Sequence, residues 1–288
     1  MILIADSGST KVTWCLLSEN KSNHKYIETK GINPNYQTKH SILTILENEL
    51  HPHLPSHGEW VQKVYFYGTG CSTIPNCKLM RESLLTITPN AAVIVEHDLL
   101  GAAISLCGRD TGVACILGTG SNSCFYDGKT IKKTILSLGH LLGDEGGGVY
   151  IGKKILYHYL KNHYPDELKM AFDAKYEKTP QELIHLMYNN INIISFFADF
   201  TYFASENIAH PFMQDVIKNC FRDYFTEQVL IYEEAKHYPL GFVGSIAFTF
   251  QNELKAVAKE FQFHIGKIIK NPIEGLKDFH IEELLHPK

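Results

Sequence analysis

The fold of this chain is decided by residues 2–17, which read ILIADSGSTKVTWCLL. The apolar run at 2–5 leads into Asp6-Ser7-Gly8-Ser9-Thr10, and a second apolar run follows from Val12 to Leu17. This pattern predicts a strand, a tight turn and a second strand. Residues 113–126, VACILGTGSNSCFY, repeat it around the turn Gly118-Thr119-Gly120-Ser121. Two similar α/β halves are therefore expected, although few residues are identical between them.

Further strands and helices are expected in both halves. Short apolar runs at 26–29, 64–67 and 91–95 predict strands in the first half, and 240–243 predicts one in the second, followed by an apolar helix through Val257. Pro272 breaks the chain before a short final helix. Residues 152–236 read as mostly helical, and one of these helices carries an aromatic run that is expected to lie in the core: Phe196, Phe197, Phe200, Tyr202 and Phe203.

Composition and charge limit the classes of protein that the chain can be. Its 288 residues suggest about two domains, and 44% hydrophobic residues are typical of a globular protein rather than a disordered one. With 27 Lys and Arg against 31 Asp and Glu, the formal net charge is -4. Because that charge offers no basic field for a phosphate backbone, we expect no nucleic acid partner. Backbone amides can still hold a small anionic ligand.

The cysteines and the apolar runs predict a location. The seven cysteines form no C-x-x-C pair and no zinc spacing, and most lie in apolar runs, as buried thiols do in a reducing compartment. The apolar run at the N-terminus is too short for a signal peptide, and no run approaches the roughly 18–20 residues that span a membrane. We therefore expect a cytoplasmic protein with no membrane partner.

Both strand–turn–strand stretches could hold phosphate. In the first, small residues let backbone N–H groups approach an anion, the side chains of Ser9, Thr10 and Lys11 add donors, and Asp6 can hold Mg²⁺ through water. In the second, the turn 118–121 offers another set of amides and two hydroxyls. An ordinary hairpin turn explains either stretch alone. Because both halves begin with such a turn, phosphate binding is as well supported as two ordinary hairpin turns.

Asp98 lies where a buried strand meets a helix, in the sequence Glu96-His97-Asp98. A carboxylate there can act as a general base toward a substrate hydroxyl. Asp is also a favoured N-cap residue, and spacing alone favours capping.

Two glycine-rich stretches follow. Residues 139–148, GHLLGDEGGG, hold five glycines and two acids, which favours a loop that touches a ligand closely. Asp144 and Glu145 could accept hydrogen bonds from a polyol or place a cation; the alternative is an acidic first turn of the next helix. At 241–245 a strand enters a helix through small residues, where a flat ring could lie against the backbone, although close helix–strand packing is the simpler interpretation.

Taken in this order, the stretches resemble the acetate kinase–sugar kinase–Hsp70–actin superfamily, and within it the N-acetylglucosamine kinase group of the BadF/BadG/BcrA/BcrD ATPase family. The matching segments are 6–11, 118–121, 142–146 (LGDEG), 241–245 (GFVGS) and 271–275 (NPIEG). The resemblance implies an α/β fold of two ribonuclease-H-like (actin-like ATPase) domains, with ATP and sugar in the cleft between them. It implies that the last helix returns to the first domain, so that the domains are residues 1–103 plus 272–288, and residues 104–271 with a helical insertion.

The resemblance also implies roles for individual residues. Asp98 falls where the sugar kinases keep their general base, which replaces the capping interpretation. Asp6 would help place Mg²⁺. The nucleotide would be bound by Ser9, Thr10, Lys11, Gly118, Thr119, Gly120 and Ser121 at its phosphates, and by Gly244 and Ser245, where many relatives have Gly-Gly, at its adenosine. The amino sugar would contact Asn35, Thr119, Asp144 and Glu145; Asn33 competes with Asn35 for one role, and we favour Asn35.

The implied function is phosphorylation of an amino sugar, N-acetylglucosamine or glucosamine, at its 6-hydroxyl, with ATP and Mg²⁺. Two alternatives stay open. The CoA-dehydratase and CoA-reductase activators share the family and bridge a dimer through an iron–sulfur cluster, but Cys71 and Cys77 lack the sequence context of its cysteines. A non-catalytic sugar sensor would bind sugar without phosphoryl transfer. Whether the chain forms a homodimer is also left open.

Overall fold

The computed structural model describes residues 1–18, 23–55, 60–190 and 192–285, without the side chains of 284 and 285. The chain forms two compact units. Unit 1 consists of Met1–Asp110, Gly128–Thr130 and Asn271–Lys288, and unit 2 of Thr111–Asp127 and Ile131–Lys270.

The strands are numbered in chain order: β1 (Ile2–Ser7), β2 (Lys11–Leu17), β3 (His24–Lys30), β4 (Lys63–Gly68), β5 (Ala92–His97), β6 (Gly112–Leu117), β7 (Ser121–Tyr126), β8 (Ile131–Thr134), β9 (Leu240–Val243) and β10 (Ile265–Ile269). The α-helices are α1 (Lys39–Ile45), α2 (Ile74–Ile87), α3 (Asp98–Cys107), α4 (Gly139–Leu142), α5 (Gly148–Leu160), α6 (Asp166–Tyr176), α7 (Pro180–Asn189), α8 (Ile193–Glu206), α9 (Pro211–Tyr224), α10 (Ser245–Thr249), α11 (Gln251–Glu260) and α12 (Ile273–Leu285). Two π-helical turns extend helices: Leu46–Leu50 follows α1, and Phe225–Val229 follows α9.

Unit 1 is built on a five-stranded sheet in the order β3-β2-β1-β4-β5. The hairpin expected from residues 2–17 is confirmed: β1 and β2 pair antiparallel, and Gly8 N donates to Lys11 O at 2.9 Å across the turn. β1, β4 and β5 run parallel, so their carboxyl ends meet at one edge of the sheet. That edge is where ligands bind in open α/β sheets.

Helices cover both faces of the unit 1 sheet, which is why the central strand β1 is apolar almost throughout. α1 and α2 pack Ile42 and Leu84 against Leu3 and Trp14 on one face. The fully buried indole of Trp14 keeps its hydrogen bond, because Nε1 donates to Thr29 Oγ1 at 3.0 Å. α3 and α12 contact the sheet together.

Unit 2 repeats the topology of unit 1. Its sheet order is β10-β9-β6-β7-β8, which matches β5-β4-β1-β2-β3 strand for strand. The antiparallel pairing of β6 and β7 and the parallel pairing of β6 with β9 repeat as well. The predicted α/β fold of two similar halves is therefore confirmed.

A helical insertion between β8 and β9 supplies most of the unit 2 core. Three residues of the aromatic run on α8, namely Phe197, Phe200 and Phe203, are buried as expected, whereas Tyr202 is 65% exposed. Among the described residues, no helix combines the length and apolar content needed to cross a bilayer.

The expected division between residues 103 and 104 falls inside α3, a continuous helix that lies wholly within Met1–Asp110.

Candidate active site

In unit 1, two carboxylates lie near the carboxyl edge of the parallel strands. The register aligns Ser7 of β1 with Gly68 of β4 and with His97 of β5, so Asp6 and Asp98 flank this line. Burial, with a further contribution from the charge of Asp98, raises the pKa of Asp6 to about 7, and Lys11 opposes the rise. The two acids therefore interact electrostatically.

Asp98 does not cap α3. The N-cap is His97, whose Nδ1 accepts the backbone N–H of Leu99 at 3.1 Å, and Asp98 is the first helical residue. The capping interpretation, which spacing alone favours and the family resemblance replaces, is therefore wrong: β5 extends in register with Gly68 through His97, so the cap falls one residue earlier. The Asp98 carboxylate is therefore not the capping group of α3.

His97 also touches the Asp98 carboxylate, with Nδ1 3.0 Å from Oδ1. Burial alone would lower the pKa of His97, but the hydrogen bond and the charge of Asp98 together raise it. A protonated Nδ1 donates to Asp98, and an unprotonated Nδ1 accepts from Leu99. His97 thus holds Asp98 in place whenever it carries the proton.

The turn between β1 and β2 presents Ser9, Thr10 and Lys11 on the surface of unit 1, all three exposed. Lys11 Nζ forms an ion pair with Glu28 Oε1 at 2.7 Å, and both side chains are largely in solvent. Such a surface pair is weak, so the ammonium remains available to an anion. A Cβ on Gly31 would come within 2.2 Å of Ser9 O, so the turn is packed directly on the following loop.

Asn33 and Asn35 have separate positions. Asn33 is buried, and its Nδ2 donates to Ser9 Oγ at 3.0 Å while its Oδ1 accepts from the backbone N of Asn35 at 3.0 Å. Asn35 is exposed, and its Oδ1 accepts from Asn76 Nδ2 at 2.7 Å. Asn33 therefore braces the turn, and Asn35 is the one of the pair with a side chain open to a ligand.

In unit 2, the glycine turn after β6 rests on the N-terminus of α5. Gly118 N donates to Gly120 O at 3.0 Å, and the amides of Gly148 and Val149 donate to the carbonyls of Gly118 and Thr119 at 2.8 Å and 3.0 Å. Ser121 Oγ is buried and has no hydrogen-bond partner in the described part of the chain. A buried hydroxyl without a partner is costly and indicates a position suited to a ligand.

Asp144 packs directly on this turn. A Cβ on Gly120 would lie 2.7 Å from Asp144 Oδ2, and the amide of Ser121 donates to Asp144 Oδ1 at 3.4 Å. Asp144 has a φ of 57°, an uncommon conformation for a residue other than glycine. Burial raises the pKa of Asp144, whereas its hydrogen bond to Ser121 and the charges of His140 and Lys153 lower it. The neighbouring Glu145 accepts a hydrogen bond from Gln228 Nε2 at 2.8 Å.

The junction between β9 and α10 meets the same turn from the other side. Gly244 has a φ of 129°, and a Cβ there would lie 2.2 Å from Leu117 O and 3.0 Å from Gly118 N. Only glycine allows this approach. Ser245 is the exposed first residue of α10. In unit 2, Asp144 and the 244–245 junction therefore both contact the turn 118–121 or the residue before it, and Glu145 follows Asp144 along the chain.

The carboxylates of unit 1 fit the chemistry of Mg²⁺. This ion prefers oxygen ligands, keeps several waters and is usually bound through one or two carboxylates together with substrate phosphates. Burial and the charge of Asp98 make ionisation of Asp6 costly, and a bound cation would offset that cost. Over residues 1–18, 23–55, 60–190 and 192–285, no group of three His, Cys, Asp or Glu side chains is arranged to hold a metal ion by itself.

Several neighbours of the candidate residues were not found from the sequence. His97 contacts Asp98, Asn76 contacts Asn35, and Gln228 contacts Glu145. His97 could have been found as a second possible cap. Asn76 and Gln228 had no signal, because their contacts span 41 and 83 residues of the chain.

The chain resembles sugar kinases of known structure. A protein of Porphyromonas gingivalis, provisionally named an N-acetylglucosamine kinase, is 38% identical with a TM-score of 0.93, and the match covers 99% of this chain and 100% of that one. A provisionally named N-acetylglucosamine kinase of Chromobacterium violaceum shares the fold at 14% identity and a TM-score of 0.67, over 97% and 99% of the two chains. A ROK family glucokinase of Streptomyces griseus, in complex with glucose and AMPPNP, shares it at 13% identity and a TM-score of 0.57, over 96% and 97%. No family model and no curated protein matches the sequence.

Proposed function

The chain belongs to the N-acetylglucosamine kinase-like family of the acetate kinase–sugar kinase–Hsp70–actin superfamily, and we propose that it transfers the γ-phosphoryl group of ATP to a hydroxyl of an amino sugar. N-acetylglucosamine and glucosamine are the proposed substrates, and the 6-hydroxyl is the proposed acceptor. The observation that carries the proposal is the likeness to the P. gingivalis protein over nearly the whole of both chains. We propose the cytoplasm, where ATP is abundant, as its location.

Asp98 is the proposed general base. Its carboxylate would take the proton of the sugar hydroxyl while the hydroxyl oxygen forms a bond to the γ-phosphorus and the bond from phosphorus to the leaving oxygen of ADP breaks. The position of Asp98 supports this role, because the cap of α3 is made by His97 and not by the Asp98 carboxylate. A proton on His97 Nδ1 would be donated to Asp98 Oδ1, so the base should work best when Nδ1 is unprotonated and accepts from Leu99.

Both glycine turns are the proposed phosphate sites. Ser9, Thr10 and Lys11 of unit 1 are exposed, and the unpartnered hydroxyl of Ser121 in unit 2 would gain a hydrogen bond from a phosphate oxygen. Gly244 and Ser245 would border the adenosine, since an absent side chain at 244 leaves the backbone open to a flat ring. Asp6 is the proposed carboxylate for Mg²⁺, which when bound would neutralise and orient the phosphates.

The amino sugar is proposed to contact Asn35, Thr119, Asp144 and Glu145. Carboxylates and amides suit a polyol, because each can accept or exchange hydrogen bonds with sugar hydroxyls. The strained backbone of Asp144 supports this proposal, since such conformations concentrate at binding sites. Water exclusion around the reacting groups would limit ATP hydrolysis.

The proposal is tested by ADP release with ATP, Mg²⁺ and a panel of N-acetylglucosamine, glucosamine, N-acetylmannosamine and glucose. We expect release that depends on an amino sugar, with a phosphorylated sugar as the second product. ATP turnover without any sugar, together with an iron chromophore, would instead indicate an activator ATPase. Sugar binding without transfer to any member of the panel would indicate a sensor.

A further inference from the structure

A buried glutamine, Gln228, contacts the glycine-rich loop that contains Asp144 and Glu145. We propose that Gln228 is a positioning residue that fixes the Glu145 carboxylate for hydrogen bonding to the sugar. This inference rests on the proposed function, and it adds a residue to the sugar site that no sequence motif indicates.

The contact is direct. Gln228 Nε2 donates to Glu145 Oε2 at 2.8 Å, and Gln228 is only 7% exposed. A hydrogen bond to a carboxylate is among the stronger ones in proteins, and here it is partly shielded from water. One oxygen of Glu145 is thereby occupied, and the other remains able to accept from a ligand hydroxyl.

Gln228 lies in an unusual backbone element. Residues Phe225–Val229 form a π-helical turn that continues α9. Such turns are rare and occur frequently at functional sites. The wider turn inserts an extra residue relative to an α-helix, and this changes the direction of the side chains that follow α9.

This π-helical turn is anchored to β7, the strand that begins at the glycine turn. Ser123 Oγ donates to Gln228 O at 2.7 Å. On either side, Tyr224 OH donates to Asn122 O at 3.3 Å and Tyr232 OH donates to Ser123 O at 3.0 Å. One of these hydrogen bonds holds the backbone of Gln228 itself, and the two tyrosines tie the flanking residues to β7, so the amide of Gln228 is presented to Glu145 from a braced support.

The loop is held at a second point beside Glu145. Gly146 has a φ of 70°, and a Cβ there would lie 2.8 Å from Tyr224 Cβ and 3.3 Å from Leu117 Cδ2. The same segment of chain therefore supports the loop twice, through Tyr224 at Gly146 and through Gln228 at Glu145. Tyr224 thus supports the backbone of the loop, and Gln228 supports the Glu145 carboxylate.

The second polar atom of Gln228 indicates that stability alone does not explain the residue. Gln228 Oε1 is buried and has no hydrogen-bond partner among the described residues. An unsatisfied buried acceptor lowers stability, and an apolar side chain of the same size would avoid the cost. Leucine or methionine would serve packing alone, whereas a side chain that holds a carboxylate must carry a hydrogen-bond donor, as the Gln228 amide does.

The test is a double-mutant cycle on the full chain with N-acetylglucosamine as the probe. The variants are Gln228→Leu, Glu145→Ala and the double variant, with Gln214→Leu on α9 as a matched control. The measurements are kcat, the KM for sugar and for ATP, and the sugar Kd by calorimetry, which needs no turnover. Circular dichroism verifies that each variant is folded, and Gln228→Asn, whose amide is one methylene shorter, serves if the leucine variant does not fold.

We expect Gln228→Leu and Gln228→Asn to raise the sugar KM and Kd about tenfold, the loss expected for one hydrogen bond to a charged group, and to leave the KM for ATP within about twofold. In the Glu145→Ala background, Gln228→Leu should raise the sugar KM no further, because the residue acts through Glu145. Gln214→Leu should behave as the wild type.

An unchanged sugar KM in both Gln228 variants, or the same increase with and without Glu145, would overturn the inference. A joint increase in the KM for sugar and for ATP would overturn it too, because that is the effect of general loosening. These results leave the proposed function intact if the wild type phosphorylates the sugar. If the wild type binds sugar but transfers no phosphoryl group, the proposed function fails and the Kd values still decide the inference; if it binds none, both fail.

Discussion

Lowering the pH should destabilise unit 1, because the buried His280 on α12 resists protonation in the folded chain. His280 is 2% exposed, its Nε2 lies 2.9 Å from the hydroxyl of Tyr67, and its ring stacks on Tyr65 with centroids 3.8 Å apart. Burial, helped by the charge of Lys63, lowers the pKa of His280 from 6.5 to about 4. Glu283 Oε2 lies 3.3 Å from Nδ1 and would favour protonation, but its side chain is 41% exposed and burial outweighs it.

The sign and size of the effect follow from this pKa. Between a folded pKa of about 4 and an unfolded value of 6.5, the unfolded chain binds more protons, so stability falls as the pH falls. The contribution of neutral His280 to the free energy of unfolding is fully present above pH 6.5. It is lost as the pH falls to about 4, and the total loss is about 3 kcal/mol. From about pH 7 to about pH 5 the loss is about 2 kcal/mol.

The assay is urea unfolding followed by tryptophan fluorescence. The chain has two tryptophans, Trp14 and Trp60, and both lie in unit 1, so the signal reports on the unit that contains His280. The matched variant is His280→Gln, which cannot titrate but retains a polar group for Tyr67. We expect the wild type to lose about 2 kcal/mol more than the variant between about pH 7 and about pH 5. Parallel losses in the two proteins would refute the reasoning.

Two further variants test unit 2. Gly244→Ala places a Cβ 2.2 Å from Leu117 O at a φ of 129°, so it should destabilise the unit by about 2 kcal/mol or more in thermal unfolding and raise the KM for ATP. Gly108→Ala, at a φ of 60° with no heavy atom within 4 Å of the new Cβ, is the control and should leave that KM unchanged. Asp144→Ala should raise the sugar KM at least about tenfold with little change in the KM for ATP, and an unchanged sugar Kd would remove Asp144 from the site.

The hairpins and the repeat could be predicted from the sequence because turn chemistry is local. Small residues between two apolar runs favour a hairpin whatever the rest of the chain does, and β1–β2 and β6–β7 are both hairpins of this kind. β10 was missed, because Gly266 and Lys267 interrupt its apolar residues and it lies at the sheet edge, where no alternation is imposed.

The details of the candidate site depend on long-range contacts and could not be predicted in the same way. The start of α3 is set by pairing of β5 with β4, so the cap is His97 although Asp98 has the better capping propensity. Asn33 and Asn35 differ only in tertiary surroundings, which the local sequence does not contain. Gln228 reaches Glu145 through a π-helical turn, an element with no sequence signature.

The most direct test of the central claim measures phosphoryl transfer from radiolabelled ATP to N-acetylglucosamine by the wild type and by Asp98→Asn, together with the ATP Kd of both. The variant keeps the size and shape of the side chain, but it replaces one carboxylate oxygen by an NH₂ group and so removes the charge and the base. We predict that transfer falls about a thousandfold while the ATP Kd changes by less than about twofold. Transfer at the wild-type rate in Asp98→Asn would contradict the account.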